Sequence, residues 1–142
     1  MPRMVIVDTN VVVAGLLTSQ IDSPTAQLLD AMLDGRLIFL LSPDLLREYR
    51  VVMLRPKLAR MHGLDETEVD ALLTDITANA LWRDPPADAM HQAPDPQDGH
   101  LWALLACEPT ALLVTGDRLL QEHPRPGGSV ISPARWASDF RV

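Results

Sequence analysis

Short apolar runs alternate along the chain with longer segments of helical periodicity. Runs rich in Val, Ile and Leu lie at 4–7, 37–41, 111–114 and 129–131, with a weaker one at 80–82. Such runs are typical of strands buried on both faces of a parallel sheet. The pattern predicts an α/β fold: a single Rossmann-like domain with a mainly parallel central sheet of four to five strands, flanked by helices.

Ser-Pro pairs mark three of the predicted helix starts, at 23–24, 42–43 and 132–133. A Ser side chain caps the first turn, and Pro is favoured at the first helical position. The first two pairs predict helices that run to Gly35 and to Pro56, and the third predicts a terminal turn through Trp136. Further helices are expected behind residue 10, over 64–78, over 101–107 and near 119–120. Residues 83–97 contain four prolines and are expected to form a loop.

Length and composition favour one domain over residues 1–142, because 47% of the residues are hydrophobic and a chain of this size supports one core. The lone Cys107 cannot form an internal disulfide and is expected to be buried in an apolar helix. No apolar stretch is long enough for a signal sequence or a membrane span, so a cytoplasmic protein is expected.

The formal net charge of −7 argues against a polyanionic partner. The distribution of charge qualifies this, because five of the 12 basic residues lie between positions 47 and 60. A local basic patch can bind phosphates on an acidic protein, although a solvated helix face is an equally good interpretation. The candidate phosphate-binding residues in this segment are Arg47, Arg50, Arg55 and Lys57.

Acidic residues occupy positions that parallel sheets use for ligands. Asp8 and Asp117 follow buried strands, Asp98 begins a helix, and Glu48 lies on the helix that leaves the second strand. Carboxylates gathered at one edge of a sheet repel each other unless a cation lies between them, and oxygen ligands suit Mg²⁺ or Mn²⁺. Each acid also has an ordinary alternative, as a helix cap, a turn residue or a surface ion pair. The four histidines are scattered in sequence and are expected at the surface, apart from a possible phosphate contact by His100.

Four segments resemble the PIN domain in order and spacing: residues 5–11, 41–58, 95–98 and 113–117. More narrowly, they resemble the branch assigned as toxin components of bacterial toxin–antitoxin pairs. The resemblance implies a metal-dependent endoribonuclease with Mg²⁺ or Mn²⁺ as cofactor. It also implies roles for particular residues: catalytic metal ligands at Asp8, Glu48, Asp98 and Asp117, and supporting roles at Asn10, Asp95 and Thr115.

The sequence departs from the family pattern at three places. Gln97 replaces a further acid, Gly99-His100 replaces a commoner Asn-Lys pair, and Arg118-Leu119 lacks a second acid. The four acids Asp8, Glu48, Asp98 and Asp117, here called the acidic quartet, are all present. The number of metal ions is left open.

Two other functions compete with an RNA nuclease. An aspartyl-phosphate hydrolase would use Asp8 as a nucleophile. Enzymes of that type require a second acid two residues later, where this chain has Asn10. A non-catalytic module would use its acids only to bind RNA, a cation or a partner. Expected partners are an RNA substrate, a cognate antitoxin and a second copy in a homodimer, with Trp82 and Trp136 as candidate contact residues.

Overall fold

Parallel strands form the centre of the molecule. The computed structural model describes residues 3–139, and within them five strands are present. Their order in space is β3, β2, β1, β4, β5. Strands β1, β4 and β5 form one ladder and β2 and β3 another, and a single parallel bridge between Val5 and Phe39 joins the two. The strands are β1 (Val5–Val7), β2 (Leu40–Leu41), β3 (Leu81–Trp82), β4 (Leu112–Val114) and β5 (Ser129–Ile131).

The strand order places a crevice at the carboxyl end of β1. The chain moves from β1 outward to β2 and β3, and then returns to the other side of β1 for β4 and β5. Crossover connections on either side of β1 leave in opposite directions, and ligands of open α/β sheets bind at such a reversal point. The α/β fold with a parallel sheet, expected from the alternating pattern, is therefore confirmed.

Eight α-helices connect and flank the strands within the described residues. All three predicted Ser-Pro starts make the capping bond, since Ser23 Oγ accepts from the Ala26 amide, Ser42 Oγ from the Leu45 amide and Ser132 Oγ from the Arg135 amide. The helices are α1 (Thr9–Leu17), α2 (Pro24–Leu33), α3 (Pro43–Met53), α4 (Pro56–His62), α5 (Glu66–Asn79), α6 (Gly99–Cys107), α7 (Arg118–Glu122) and α8 (Pro133–Asp139).

Several element boundaries differ from the prediction. Pro56 begins the helix α4, which the sequence pattern did not predict. Proline is favoured in the first turn of a helix, so it can start a new helix where the previous one ends. The second strand is shorter than residues 37–41, since the chain leaves the turn at Gly35 and joins the sheet only from Phe39 onward. The predicted terminal turn after Ser132 is the helix α8.

The hydrophobic core lies between the sheet and the helices. Its largest buried side chains include Trp102, Trp136, Tyr49 and Phe39, so Trp136 is unavailable as a surface contact. Helices α1 and α2 approach closely at Gly15, where a Cβ atom would lie 2.6 Å from the Thr25 carbonyl oxygen.

Two surface features bear on the sequence predictions. Cys107 is exposed, which corrects the prediction of a buried thiol: it is the last residue of α6, where the helix leaves the core. Among residues 3–139, the helices include none with the length and apolar character needed to cross a membrane.

Candidate metal centre

Asp8 lies buried where β1 passes into α1. Its side chain caps α1, with Oδ1 accepting from the Thr9 amide at 2.8 Å. Oδ2 accepts from the Thr115 hydroxyl at 2.7 Å and from Asn10 Nδ2 at 3.1 Å. The residue is only 4% exposed. A carboxylate held by three donors has a fixed orientation, which is what a ligand or catalytic group requires.

Thr115 connects the ends of β1 and β4. Its fully buried hydroxyl donates to Asp8 and accepts from the Asp117 amide at 3.0 Å and from Asn10 Nδ2 at 3.3 Å. The Asn10 carbonyl oxygen Oδ1 in turn accepts from the Gly116 amide at 2.9 Å. Because β1 and β4 are adjacent, this network fixes the two strand ends that carry acidic residues relative to each other.

Glu48 is positioned by the residue that follows it. The buried Tyr49 hydroxyl donates to the Val7 carbonyl oxygen at 2.5 Å, which ties α3 to the last residue of β1. Glu48 then lies beside the start of α1, where its Oε1 accepts from the Thr9 hydroxyl. Its Oε2 lies 3.3 Å from His100 Nε2.

Asp98 and His100 bring the start of α6 to the same place. Asp98 occupies the N-cap position of α6 but makes no side-chain capping bond, so the ordinary role of an acid at a helix start does not account for it. One ligand atom each from Glu48, Asp98 and His100 lies within 4.8 Å of the others. The His100 side chain is only 10% exposed, which corrects the prediction that it is a surface residue.

Asp117 and Asp95 make the local turn contacts that the ordinary interpretation predicts. Asp117 Oδ1 accepts from the Leu119 amide at 2.8 Å and caps α7. Asp95 Oδ1 accepts from the Gln97 amide at 2.9 Å and caps the short 3₁₀ turn Pro96–Asp98. Both charges still act on Asp98. The close cluster thus comprises Glu48, Asp98 and His100, with Asp8 joined to it through Thr9 and with Asp117 and Asp95 at its edges.

The carboxylates are held in an unfavourable electrostatic environment. Burial raises the pKa of Asp98 to about 6, and the negative charges of Asp8, Asp95, Glu48 and Asp117 add to the effect. Burial also raises the pKa of Asp8, more than the bonds from Thr115 and Thr9 lower it. The pKa of Glu48 is lowered, chiefly by its hydrogen bond to His100.

This donor set fits a divalent cation. Carboxylate oxygens are the ligands that Mg²⁺ and Mn²⁺ prefer, and a cation would offset the burial and the charge repulsion that together raise the pKa of Asp98. The candidate ligands lie on regular elements: Asp8 and Asp117 follow strands, Glu48 lies within α3 and Asp98 begins α6. Hydrogen bonds orient Asp8 and Glu48.

We expect metal affinity to fall steeply below about pH 6. In the metal-free protein the pKa of Asp98 is about 6, so a proton must leave before the carboxylate can bind a metal below that pH. The apparent Kd for Mn²⁺ should therefore rise by up to about tenfold between pH 6 and pH 5. Calorimetric titrations at several pH values measure this, and Asp98→Asn is the control that should weaken the dependence. A Kd for the wild type that stays constant over this range would contradict the assignment.

The same shift determines how the stability of the metal-free protein responds to pH. The pKa of Asp98 is higher in the folded state than its ordinary value of 3.8, so the folded state binds the proton more strongly. This group stabilises the fold fully below pH 3.8, and the contribution is lost as the pH rises through about 6.

The four candidate RNA-binding residues occupy two different surfaces. Arg50 is held by Asp70 and Glu66 on α5 at 2.7 Å and 2.6 Å, away from the carboxylates. Arg47 and Arg55 line a groove of about 470 Å³ that also contains Glu48 and His100 at its wall. Lys57 is exposed on α4.

The sequence analysis gave no role in the metal centre to Tyr49, Thr9 or His100, and for His100 it predicted only a phosphate contact. His100 lies two residues after Asp98, and this spacing at the start of a helix was the available signal. Tyr49 adjoins Glu48 on an amphipathic helix, and no sequence feature distinguishes it from an ordinary core aromatic.

Comparison with known proteins identifies the family. The model of the PIN domain matches residues 4–119, which include the four acidic positions Asp8, Glu48, Asp98 and Asp117. None of the curated proteins matches the chain. With the family model covering most of its length and a carboxylate cluster at the carboxyl edge of its parallel sheet, the chain belongs to the PIN domain family, whose members are generally metal-dependent nucleases.

Proposed function

We propose that the protein is a metal-dependent endoribonuclease that hydrolyses phosphodiester bonds of RNA with Mg²⁺ or Mn²⁺. The observation that carries the proposal is the group of carboxylates beside the ends of β1 and β4, where burial and then the neighbouring negative charges raise the pKa of Asp98 to about 6. In this proposal Asp8, Glu48, Asp98 and Asp117 hold the metal, and Asn10, Thr115 and Asp95 support them.

When bound, a divalent ion supplies the positive charge that polarises a scissile phosphate and lowers the pKa of an attacking water. The protein supplies the geometry. Thr115 and Asn10 hold one oxygen of Asp8, and the Thr9 amide holds the other. Thr9 also holds Glu48 through its hydroxyl, so one short segment orients two of the acids.

The groove beside Glu48 is the proposed path for the RNA backbone. Arg47 and Arg55 both line it, and both are exposed. Arg55, and Arg47 once it leaves its exposed pair with Asp44, would hold phosphates on one side of the scissile bond. Arg50 lies outside this path because its guanidinium is held by Asp70 and Glu66.

Replacing Arg47 and Arg55 together with Gln should raise the KM for RNA by about tenfold and leave kcat little changed. The reason is that they bind phosphates remote from the reacting bond. The dependence of RNA affinity on salt should also weaken, by about one unit of slope for each arginine.

Arg36→Gln is the matched control for this double variant, because Arg36 pairs with Asp34 in the turn before β2, at the opposite edge of the sheet. Steady-state kinetics over a range of salt concentrations provide the measurement. An unchanged KM for the double variant would exclude the groove as the RNA path.

Cleavage of defined substrates tests the function itself. Protein stripped of metal by a chelator is incubated with single-stranded RNA or DNA of the same sequence, without metal and with Mg²⁺ or Mn²⁺. We expect RNA cleavage only when metal is present. Metal-loaded protein that binds RNA and never cuts it would favour a binding module instead. A trapped acyl phosphate on Asp8 would favour a phosphohydrolase.

The toxin role is the finer part of the proposal. It rests on the resemblance to toxin components, with a cognate antitoxin and a second copy as partners in the cytoplasm. Exposed apolar side chains near the basic segment and at β3 are suitable contact residues, including Val51 on α3, Met61 on α4 and Trp82. Growth arrest on expression, relieved by a co-expressed neighbouring gene product, tests this role.

A further inference from the structure

We propose that His100 is a nitrogen ligand of the metal centre, which makes it a mixed carboxylate and imidazole site with a preference for Mn²⁺ over Mg²⁺. This inference rests on the proposed metal-dependent function and adds a residue outside the acidic quartet.

The backbone delivers His100 to the cluster in a fixed position. Asp98 and His100 flank Gly99 at the first turn of α6, and the next residues, Leu101 and Trp102, are buried in the core. The imidazole is therefore anchored by the packing of the helix. The imidazole side chain itself is nine-tenths buried.

The distances suit a shared ion. His100 Nε2 lies 3.3 Å from Glu48 Oε2, and the ligand atoms of Glu48, Asp98 and His100 lie within 4.8 Å of one another. Two ligands at about 2.1 Å from one ion are at most about 4.2 Å apart. Side-chain adjustments of less than about 1 Å would bring all three onto one ion.

The hydrogen bonding of the ring leaves one nitrogen uncommitted. Among the described residues, Nδ1 of His100 is buried and has no hydrogen-bond partner. The contact with Glu48 therefore accounts for only one side of this buried ring. A neutral imidazole has one nitrogen with a lone pair, which is the form that binds metals.

The identity of the third donor predicts metal preference. Sites made of carboxylates and water suit Mg²⁺, which requires oxygen ligands in a nearly ideal octahedron. An imidazole nitrogen shifts preference toward first-row transition metals, of which Mn²⁺ also accepts carboxylates readily. We therefore expect the replacement of His100 to weaken Mn²⁺ binding more than Mg²⁺ binding.

Pulsed electron paramagnetic resonance on the Mn²⁺-loaded protein tests the proposal without RNA, because it detects the coupling of Mn²⁺ to a directly bound imidazole ¹⁴N. The wild type should show this coupling and His100→Leu should lose it. In calorimetric titrations His100→Leu should bind Mn²⁺ about tenfold more weakly or worse, with a smaller loss for Mg²⁺. His91→Leu is the matched control, since His91 lies in the neighbouring loop and lines the cavity beside His100.

A purely structural ion pair between His100 and Glu48 predicts the opposite change in metal affinity. If His100 is only a positive partner of Glu48, its removal makes the site more negative, so His100→Leu should bind both metals equally well or more tightly. That result, or a wild type without nitrogen coupling, overturns the proposal. The wild-type spectrum decides even if the variant fails to fold.

The result is separable from the proposed function. Nitrogen coupling in a wild-type protein that cuts no RNA would support His100 as a metal ligand and contradict the proposed nuclease activity. RNA cleavage by a wild-type protein without nitrogen coupling would support the nuclease activity and contradict His100 as a metal ligand.

Discussion

Asp8→Asn is expected to reduce metal-dependent RNA cleavage by about a thousandfold or more while the protein stays folded. Asn keeps the size of Asp8 and one acceptor oxygen, but it loses the negative charge that the proposed metal site needs. The rate of cleavage under saturating Mn²⁺ provides the measurement. Residual activity close to that of the wild type would show that the nuclease activity does not depend on this carboxylate.

The stability of the same variant is a second readout. Burial raises the pKa of Asp8, so its charge costs folding free energy at neutral pH when no metal is bound. We expect the unfolding temperature of metal-free Asp8→Asn to equal or exceed that of the wild type. Added Mn²⁺ should then stabilise the wild type far more than the variant, because only a ligand that binds the folded state raises stability.

Thr115→Val is expected to have the second largest effect, although Thr115 is proposed to touch neither metal nor RNA. The substitution preserves shape and removes a hydroxyl that serves Asp8, Asn10 and the Asp117 amide at once. Loss of such orienting bonds typically lowers metal affinity by about ten- to a hundredfold. Leaving buried polar groups unpaired should also lower the free energy of unfolding by about 1–3 kcal/mol.

Thr115→Ser distinguishes positioning from packing, because it keeps the hydroxyl and removes only a methyl group. We expect Ser to restore most of the metal affinity, although the lost methyl costs some stability. Mn²⁺ titration and chemical unfolding of the two variants provide the comparison. If Val binds metal as well as Thr does, the hydroxyl does not orient Asp8.

The sequence predicts the strand-end part of the site well because a parallel sheet has few ways to place its carboxyl ends. Asp8 and Thr115 follow strands that prove to be neighbours. The position of Glu48 follows from the Ser42 cap, which fixes the start of α3. Strand ends and helix caps are local features, so the sequence predicts them directly.

The remaining features depend on tertiary packing. The burial of His100 against Glu48 depends on how α6 packs beside α3. Similarly, the ion pair between Arg50 and Asp70 depends on the packing of α5 against α3, so the sequence does not indicate which basic residues of this segment are paired. Cys107 lies outside the core because α6 ends there, a boundary that an apolar run does not reveal.

A crystal structure of the protein grown with Mn²⁺, with anomalous diffraction recorded to locate the metal, tests the central claim most directly. The account predicts a strong peak at the carboxyl ends of β1 and β4, about 2.2 Å from carboxylate oxygens that include those of Asp8 and Asp98. A Mn²⁺ peak elsewhere, or no peak at this site under conditions in which the protein cuts RNA, would contradict it.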